Sequence, residues 1–313
     1  MNKEISVSVV VCTYNPDQTK LFKTLYSVFT QKNTDFEVIL TDDGSSKLDK
    51  ETIRDYFVKN QFENYKLVFS DKNRGTVLNY FAGLKQAKGK YVKVISPGDY
   101  LYDENTLRQF YDFCEEGNID ICFGKAATYY EKNGKVKLYP FMAPSSVECY
   151  KKKDLKAIKY NYFMYKDFII GANFFCKTEL NMKYLEQILN KVTYDEGMAY
   201  VLMVRDGIRI AYCDEYIVWY EFGYGISSSF TSERQKTLDK DVKTAFDLAA
   251  SNSNCRMAKV ASKLWFGNKM SANTQRIITG IRRRLVKATT KAYNNYADVE
   301  ISKYNRIVSE YDK

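Results

Sequence analysis

Two rhythms of apolar and polar positions alternate through the first hundred residues. Short β-branched runs are followed by stretches in which apolar residues recur every three to four positions. Ile5–Cys12 (ISVSVVVC) is the first run and reads as a strand buried on both faces. Thr13, Tyr14 and Asn15 form the turn after it, with Asn15 placed to cap a helix that begins at Pro16. Leu21, Leu25, Val28 and Phe29 make the apolar stripe of that helix. Phe36–Thr41 is the second strand and runs into Asp42, Asp43, Gly44 and Ser45. A helix follows around Lys50–Asn60, then a strand, Tyr65–Ser70, and a turn, Asp71–Gly75. Thr76–Ala87 is the next helix, with Gly89 as its stop signal. Tyr91–Ile95 is the fourth strand and leads into Ser96-Pro97-Gly98-Asp99. Such alternation predicts an α/β fold, a mostly parallel sheet flanked by helices.

Beyond Asp103 the rhythm loosens. Leu107–Glu116 reads as a helix, Ile119–Gly124 as a strand, and Ala126–Tyr139 as a hairpin turning at Lys132-Asn133-Gly134. Pro140–Lys153 reads as a loop, Phe168–Cys176 as an apolar segment, and Leu180–Leu189 and Glu196–Arg205 as helices, the second stopped at Gly207. Two strands, Ile208–Tyr212 and Tyr216–Tyr220, follow, and from Thr231 onward the periodicity is helical only. The expected division is residues 1–228 as one α/β domain, split into 1–103 and 104–228, and residues 229–313 as a helical C-terminal region.

In parallel α/β sheets, ligands sit outside the carboxyl ends of the strands. Here those ends carry Thr13 and Tyr14, then Asp42 and Asp43, then Ser96 to Asp99. Three separate segments thus deliver polar groups to one crevice.

Composition narrows the chemistry. The 313-residue chain contains no histidine, which removes Ser-His-Asp triads, Cys-His dyads and His-bearing zinc sites. Acid–base work falls to Asp, Glu, Lys, Tyr or Cys. Seven cysteines without a CxxC pair fit a reducing compartment, and the chain is expected to be cytoplasmic, with no membrane-spanning run. The net charge of +10 suits an anionic partner, but no nucleic-acid-binding module is visible and nucleic acid is not an expected partner. Arg282-Arg283-Arg284 with Lys287 and Lys291 reads either as a basic face touching a membrane surface or as a solvated or oligomer-forming helix.

The stretches VSVVVCTYN (Val7–Asn15), EVILTDDGSS (Glu37–Ser46), NRGTVLNYFAGLKQAKGKYV (Asn73–Val92) and ISPGDYL (Ile95–Leu101) resemble, in order and spacing, the motifs of the family 2 glycosyltransferases of the GT-A fold. A fainter likeness continues to Tyr194-Asp195-Glu196 and Trp219–Ser228. The resemblance implies an inverting enzyme that uses a nucleotide sugar. Thr13, Tyr14 and Asn15 would surround the base. Asp42 would accept the uracil N3–H, with Asp43 beside it, since an ionised carboxylate only accepts. Arg74 would reach the base or diphosphate. The family places carboxylates in an Asp-x-Asp-Asp pattern around a divalent cation. Here Ser96 and Gly98 stand where two of them usually lie, which leaves Asp99 as the one ligand for Mn2+ or Mg2+, or else basic groups to neutralise the leaving diphosphate in place of a metal. Glu196, or Asp195 beside it, would be the general base.

The expected activity is therefore transfer of a hexose from a UDP-sugar to a saccharide acceptor, lipid-linked or on a glycoprotein, of a bacterial surface glycan. The alternative is a non-catalytic relative that keeps the fold as a scaffold or partner subunit.

Overall fold

The computed structural model describes residues 4–132, 135–139, 143–194, 196–223, 232–251, 254–267, 271, 273–274, 277–278, 280–281 and 298–311. In chain order the elements are β1 (Val7–Thr13), α1 (Gln18–Phe29), β2 (Phe36–Asp42), α2 (Lys50–Lys59), β3 (Tyr65–Phe69), α3 (Thr76–Leu84), β4 (Tyr91–Ile95), β5 (Tyr100–Leu101) and α4 (Thr106–Glu116). Then come β6 (Ile121–Lys132), β7 (Lys135–Leu138), α5 (Glu148–Lys151), α6 (Leu155–Tyr165), β8 (Phe174–Lys177), α7 (Thr178–Ile188), α8 (Met198–Asp206) and β9 (Ile210–Glu221). Helices α9 (Ser232–Ser251), α10 (Arg256–Phe266) and α11 (Ile301–Tyr311) close the chain.

The strands form one sheet in the order β3-β2-β1-β4-β8-β6-β9-β5, with β7 paired to β6. The expected α/β fold with helices on both faces is present. Its parallel character belongs to β3, β2, β1 and β4. Beyond β4 the sheet is mixed: β8 runs antiparallel to both β4 and β6, while β9 lies parallel to β6. A direct hairpin can only make an antiparallel pair, and β6 and β7 join that way, Lys132 opposite Lys135.

Alternation along β1 and β4 divides the core. Val7, Val9, Val11, Tyr91 and Ile95 face α1, α2 and α4. Val10, Val92 and Val94 face α3 and α6 to α10. Ala245, Phe246, Ala258, Ala261 and Trp265 of α9 and α10 belong to this second core, so the C-terminal helices pack into the α/β body. A tyrosine-rich cluster, Tyr100, Tyr102, Tyr129, Tyr216 and Trp219, receives Tyr304 and Ile307 of α11.

Several local expectations are corrected. Asn15 does not cap α1. It adopts φ +44° and its side chain accepts from Ser46 N, while Asp17 caps the helix by accepting from Lys20 N. Gly89 does not end α3, which stops at Leu84. A Cβ at Gly89 would lie 2.3 Å from Ser8 N, so the residue permits the chain to pass close to β1. The two strands expected in 208–220 are one, β9, and the strand at 119–124 continues into the hairpin as β6 across a register shift. The expected loop 140–153 contains α5, and α6 after it had no counterpart in the periodicity. Residues 140–142, the turn residues Asn133 and Gly134, and the basic stretch from Arg282 to Lys291 lie outside the described residues. Among the described residues, no helix is long and apolar enough to cross a membrane. All seven cysteines are free thiols.

Candidate active site

A cavity of about 1080 Å³ opens at the carboxyl ends of β1, β2 and β4. Cys12 to Pro16, Asp43, Asn73, Asn79, Ser96 and Asp99 line one side, and Tyr139, Tyr162, Lys166, Phe168 and Phe222 the other. Glu196 and Arg234 also face it.

The end of β2 separates two adjacent carboxylates. Asp42 is turned inward and is not among the lining residues. Its Oδ1 accepts from the hydroxyls of Thr13 (2.9 Å) and Ser45 (2.5 Å), and its Oδ2 from Ser45 N (2.8 Å). Every one of those donors is local, so Asp42 ties β1 to the turn after β2. This differs from the expected base-contacting role. Asp43, the first residue beyond β2, lies on the cavity side. Its Oδ2 accepts from Arg74 N (2.9 Å) and Gly75 N (2.7 Å). Its buried Oδ1 accepts no hydrogen bond, with Arg74 Nε 3.7 Å away. Arg74 itself is placed against Asp43 and not along the cavity.

Thr13 and Asn15 both line the cavity, yet both serve the turn. Thr13 O accepts from Asp43 N (3.0 Å) and from the Asn79 side chain (3.1 Å), and Asn15 N donates to Ser45 Oγ (2.6 Å). Tyr14 stands 50% exposed at the rim.

At the end of β4 only one carboxylate reaches the cavity. Ser96 lines it. Gly98 does not, and its φ of +97° is a conformation that strains any side chain, so a carboxylate is disfavoured at that position. Gly98 N donates to Thr24 Oγ1 and its carbonyl accepts from Tyr129 OH, which anchors the turn from both sides. Asp99 Oδ1 accepts from Glu221 N at 3.0 Å. Burial pushes the Asp99 carboxyl up to about 7, opposed by the Glu221 N–H and by Lys93. Glu221 in turn pairs with Lys20 at 2.5 Å.

Lys93, unremarked in the sequence beyond its place in a buried strand, is fully buried below this turn. Its Nζ donates to Val94 O and Ala172 O, both at 2.6 Å. Burial pushes it down to about 7, while the charges of Asp99 and Glu196 hold it up. A lysine inside an otherwise apolar strand was the signal available in the sequence.

Glu196 precedes α8, whose N-cap is Gly197. A Cβ built on Gly171 would lie 3.2 Å from Glu196 Oε1, a tight contact that would press on that carboxylate. Its charge reaches Cys12, whose thiol burial pushes up to about 12. Asp195 lies outside the described residues. The turn before Glu196 is clamped from a distance: Asp241 of α9 accepts from Thr193 N (3.0 Å) and Tyr194 N (2.8 Å), and Val77 N of α3 donates to Thr193 O. Asp241 is 1% exposed, and sequence periodicity gave no hint of this reach. Trp219 is core: fully buried, its indole N–H donates to Tyr102 O and its ring stacks on Tyr102.

A divalent cation does not fit this set. Ser96 and Gly98 bring no carboxylate, Asp99 is already bonded and faces a buried ammonium, and no group of three acidic or thiol side chains forms a metal cluster among the described residues.

Residues 8–185 match the profile described as Glycosyl transferase family 2. This chain belongs to that family. The poly(ribitol-phosphate) β-N-acetylglucosaminyltransferase TarP of Staphylococcus aureus is 33% identical over 139 residues, 43% of this chain and 39% of TarP. The chain spans less than two thirds of the length of the curated relatives it matches. Among solved structures, residues 1–349 of S. aureus TarS in complex with UDP-GlcNAc align at TM-score 0.57 and 19% identity, covering 98% of this chain and 92% of that one. The mannosyltransferase PcManGT of Pyrobaculum calidifontis, in complex with GDP-Man and Mn2+, aligns at TM-score 0.58 and 12% identity, covering 99% of this chain and 83% of that one. The fold of this family 2 chain is shared with both.

Proposed function

We propose that this family 2 chain transfers a hexose or N-acetylhexosamine from a UDP-sugar to a saccharide hydroxyl, with inversion at the anomeric carbon. The observation that carries the reading is the convergence of Asp43, Asp99 and Glu196 from three separate segments on one large cavity. Asp43 receives the nucleobase, because its Oδ1 lacks a donor and an imide N–H supplies one. Tyr14 at the rim stacks on the base. Glu196 is the general base. It takes the acceptor O–H proton as that oxygen bonds to C1, while the bond from C1 to the diphosphate oxygen breaks and its electron pair leaves with the nucleotide. Tyr139 stacks on Phe222 at 4.1 Å in the cavity wall and offers an aromatic face to an acceptor sugar. The family relation to TarP favours an N-acetylhexosamine donor and a surface-glycan acceptor. A carboxylate would also accept from guanine, so GDP-mannose belongs in the test.

The experiment is UDP or GDP release with UDP-glucose, UDP-galactose, UDP-GlcNAc and GDP-mannose over bacterial wall and capsule fragments. Turnover with a UDP-sugar is expected. Calorimetry showing no affinity for any of the four donors sinks the reading. The second reading, a non-catalytic partner, is favoured by the missing carboxylates at Ser96 and Gly98. It predicts donor binding without turnover and an unchanged cellular glycan in Glu196→Gln cells.

A further inference from the structure

We infer that this chain holds the donor diphosphate without a divalent metal, on two cations of the cavity wall, Lys166 and Arg234. The inference rests on the nucleotide-sugar reading above and goes beyond it by assigning the diphosphate subsite. A diphosphate in a partly enclosed cavity needs positive charge close by, and more of it as the bond to the sugar breaks and charge gathers on the leaving oxygen. The ordinary source in this fold would be a cation on the carboxylates after β4. That set is dismantled here. Ser96 is neutral, Gly98 occupies a left-handed turn, and the one remaining carboxylate, Asp99, is bonded to Glu221 N. Lys93, buried in β4, lies below the same turn and is felt electrostatically by Asp99, and its Nζ is bonded to Val94 O and Ala172 O.

The opposite wall supplies what the β4 turn lacks. Among the described lining residues, the basic ones are Lys166 and Arg234. Lys166 is the left-handed C-cap of α6, a geometry that ends the helix and turns the side chain away from its stripe. Its ammonium lies 4.5 Å from the Trp265 ring centroid and 4.6 Å from that of Phe266, so its stem is braced by α10. Burial pushes this ammonium down to about 8, with Asp239 of α9 opposing. An arriving diphosphate would supply the charge that such a partly desolvated cation favours. Arg234 comes from the first turn of α9, which reaches the cavity again through Leu238. A guanidinium there matches two phosphate oxygens with its planar fork. Both cations sit on helices that pack into the second core, Lys166 against two rings and Arg234 on the exposed first turn of α9.

The test is calorimetry of UDP binding to the full chain, once in EDTA and once with MnCl2. UDP is expected to bind equally well in both. Lys166→Met and Arg234→Met are each expected to weaken UDP about tenfold or more in EDTA, the loss of one charge-assisted contact. Lys166→Arg keeps the charge and is expected to stay near wild type, and Lys59→Met, exposed on α2, leaves binding unchanged. Circular dichroism melts identify any variant that fails to fold, and Lys166→Arg and Arg234→Met then carry the comparison. UDP binding that appears only with MnCl2 overturns the inference and leaves the transferase reading standing. Equal binding in all variants overturns the assignment of the cations. No binding of UDP or GDP in either buffer overturns the reading on which both depend.

Discussion

The two sides of the cavity solve the same problem with opposite materials. The side built on the parallel strands presents carboxylates and carbonyls whose lone pairs are largely taken by backbone N–H groups. Asp43 is held by Arg74 N and Gly75 N, and Asp99 by Glu221 N. The side built from α6, β9, α9 and Tyr139 presents aromatic rings and the cations Lys166 and Arg234. A carboxylate at a strand end is therefore not a ligand site by virtue of position. What matters is which of its oxygens the protein leaves without a donor. Asp42 and Asp43 are neighbours in sequence, yet both oxygens of the first accept hydrogen bonds from within the protein and the second keeps one oxygen unbonded.

The largest expected effect breaks the comparison at its meeting point. Glu196→Gln should lower transfer by roughly 10²–10⁴-fold, the range for a lost general base, while UDP binding is retained. A variant within threefold of wild type in single-turnover assays would remove Glu196 from the chemistry. Next, Asp43→Asn should weaken UDP about tenfold by calorimetry, since an amide oxygen is a poorer acceptor than a carboxylate. Asp42→Ala should do the reverse, costing about 1–3 kcal/mol of stability for the donors left unpaired while donor affinity in the folded protein holds. If the two variants exchange these phenotypes, the assignment of inner and outer carboxylate is wrong.

A further expected effect, on stability and not on transfer, concerns Lys93. Its pKa is depressed from an ordinary 10.5 to about 7, so the folded state is penalised while the lysine is charged. Wild-type stability relative to Lys93→Met should thus rise as pH increases from 7 towards 10, and the advantage should fade as pH falls through 7. Melting temperatures of both proteins across that range give the answer. A constant difference would mean that Lys93 titrates normally.

The donor side was readable because each of its strands is short, apolar and followed by polar residues in a recurring order. Val7–Thr13 and Phe36–Asp42 fall within two residues of the expected ends. What could not be read there was orientation. Nothing in the string Asp42-Asp43 says which carboxylate finds Thr13 and Ser45. The other side was less legible for a different reason. Its contacts join residues far apart in the chain, as Asp241 to Thr193 and Lys166 to Trp265 do, and periodicity reports only local repetition. The strand β9 reads as two because Asp214 and Glu215 interrupt its apolar run, although the backbone continues through them.

The clamp from Asp241 has a consequence for how such enzymes are taken apart and recombined. The match to the family ends at residue 185, and the sheet ends with β9 at Glu221. Neither point is a safe place to cut. The turn that presents Glu196 has its two leading amides fastened by a helix that begins at Ser232. A chimera that grafts residues 1–221 onto a foreign C-terminal segment would keep the strand ends of the cavity and lose the fastening of the turn before Glu196. The smallest portable unit of this protein thus runs at least through α9.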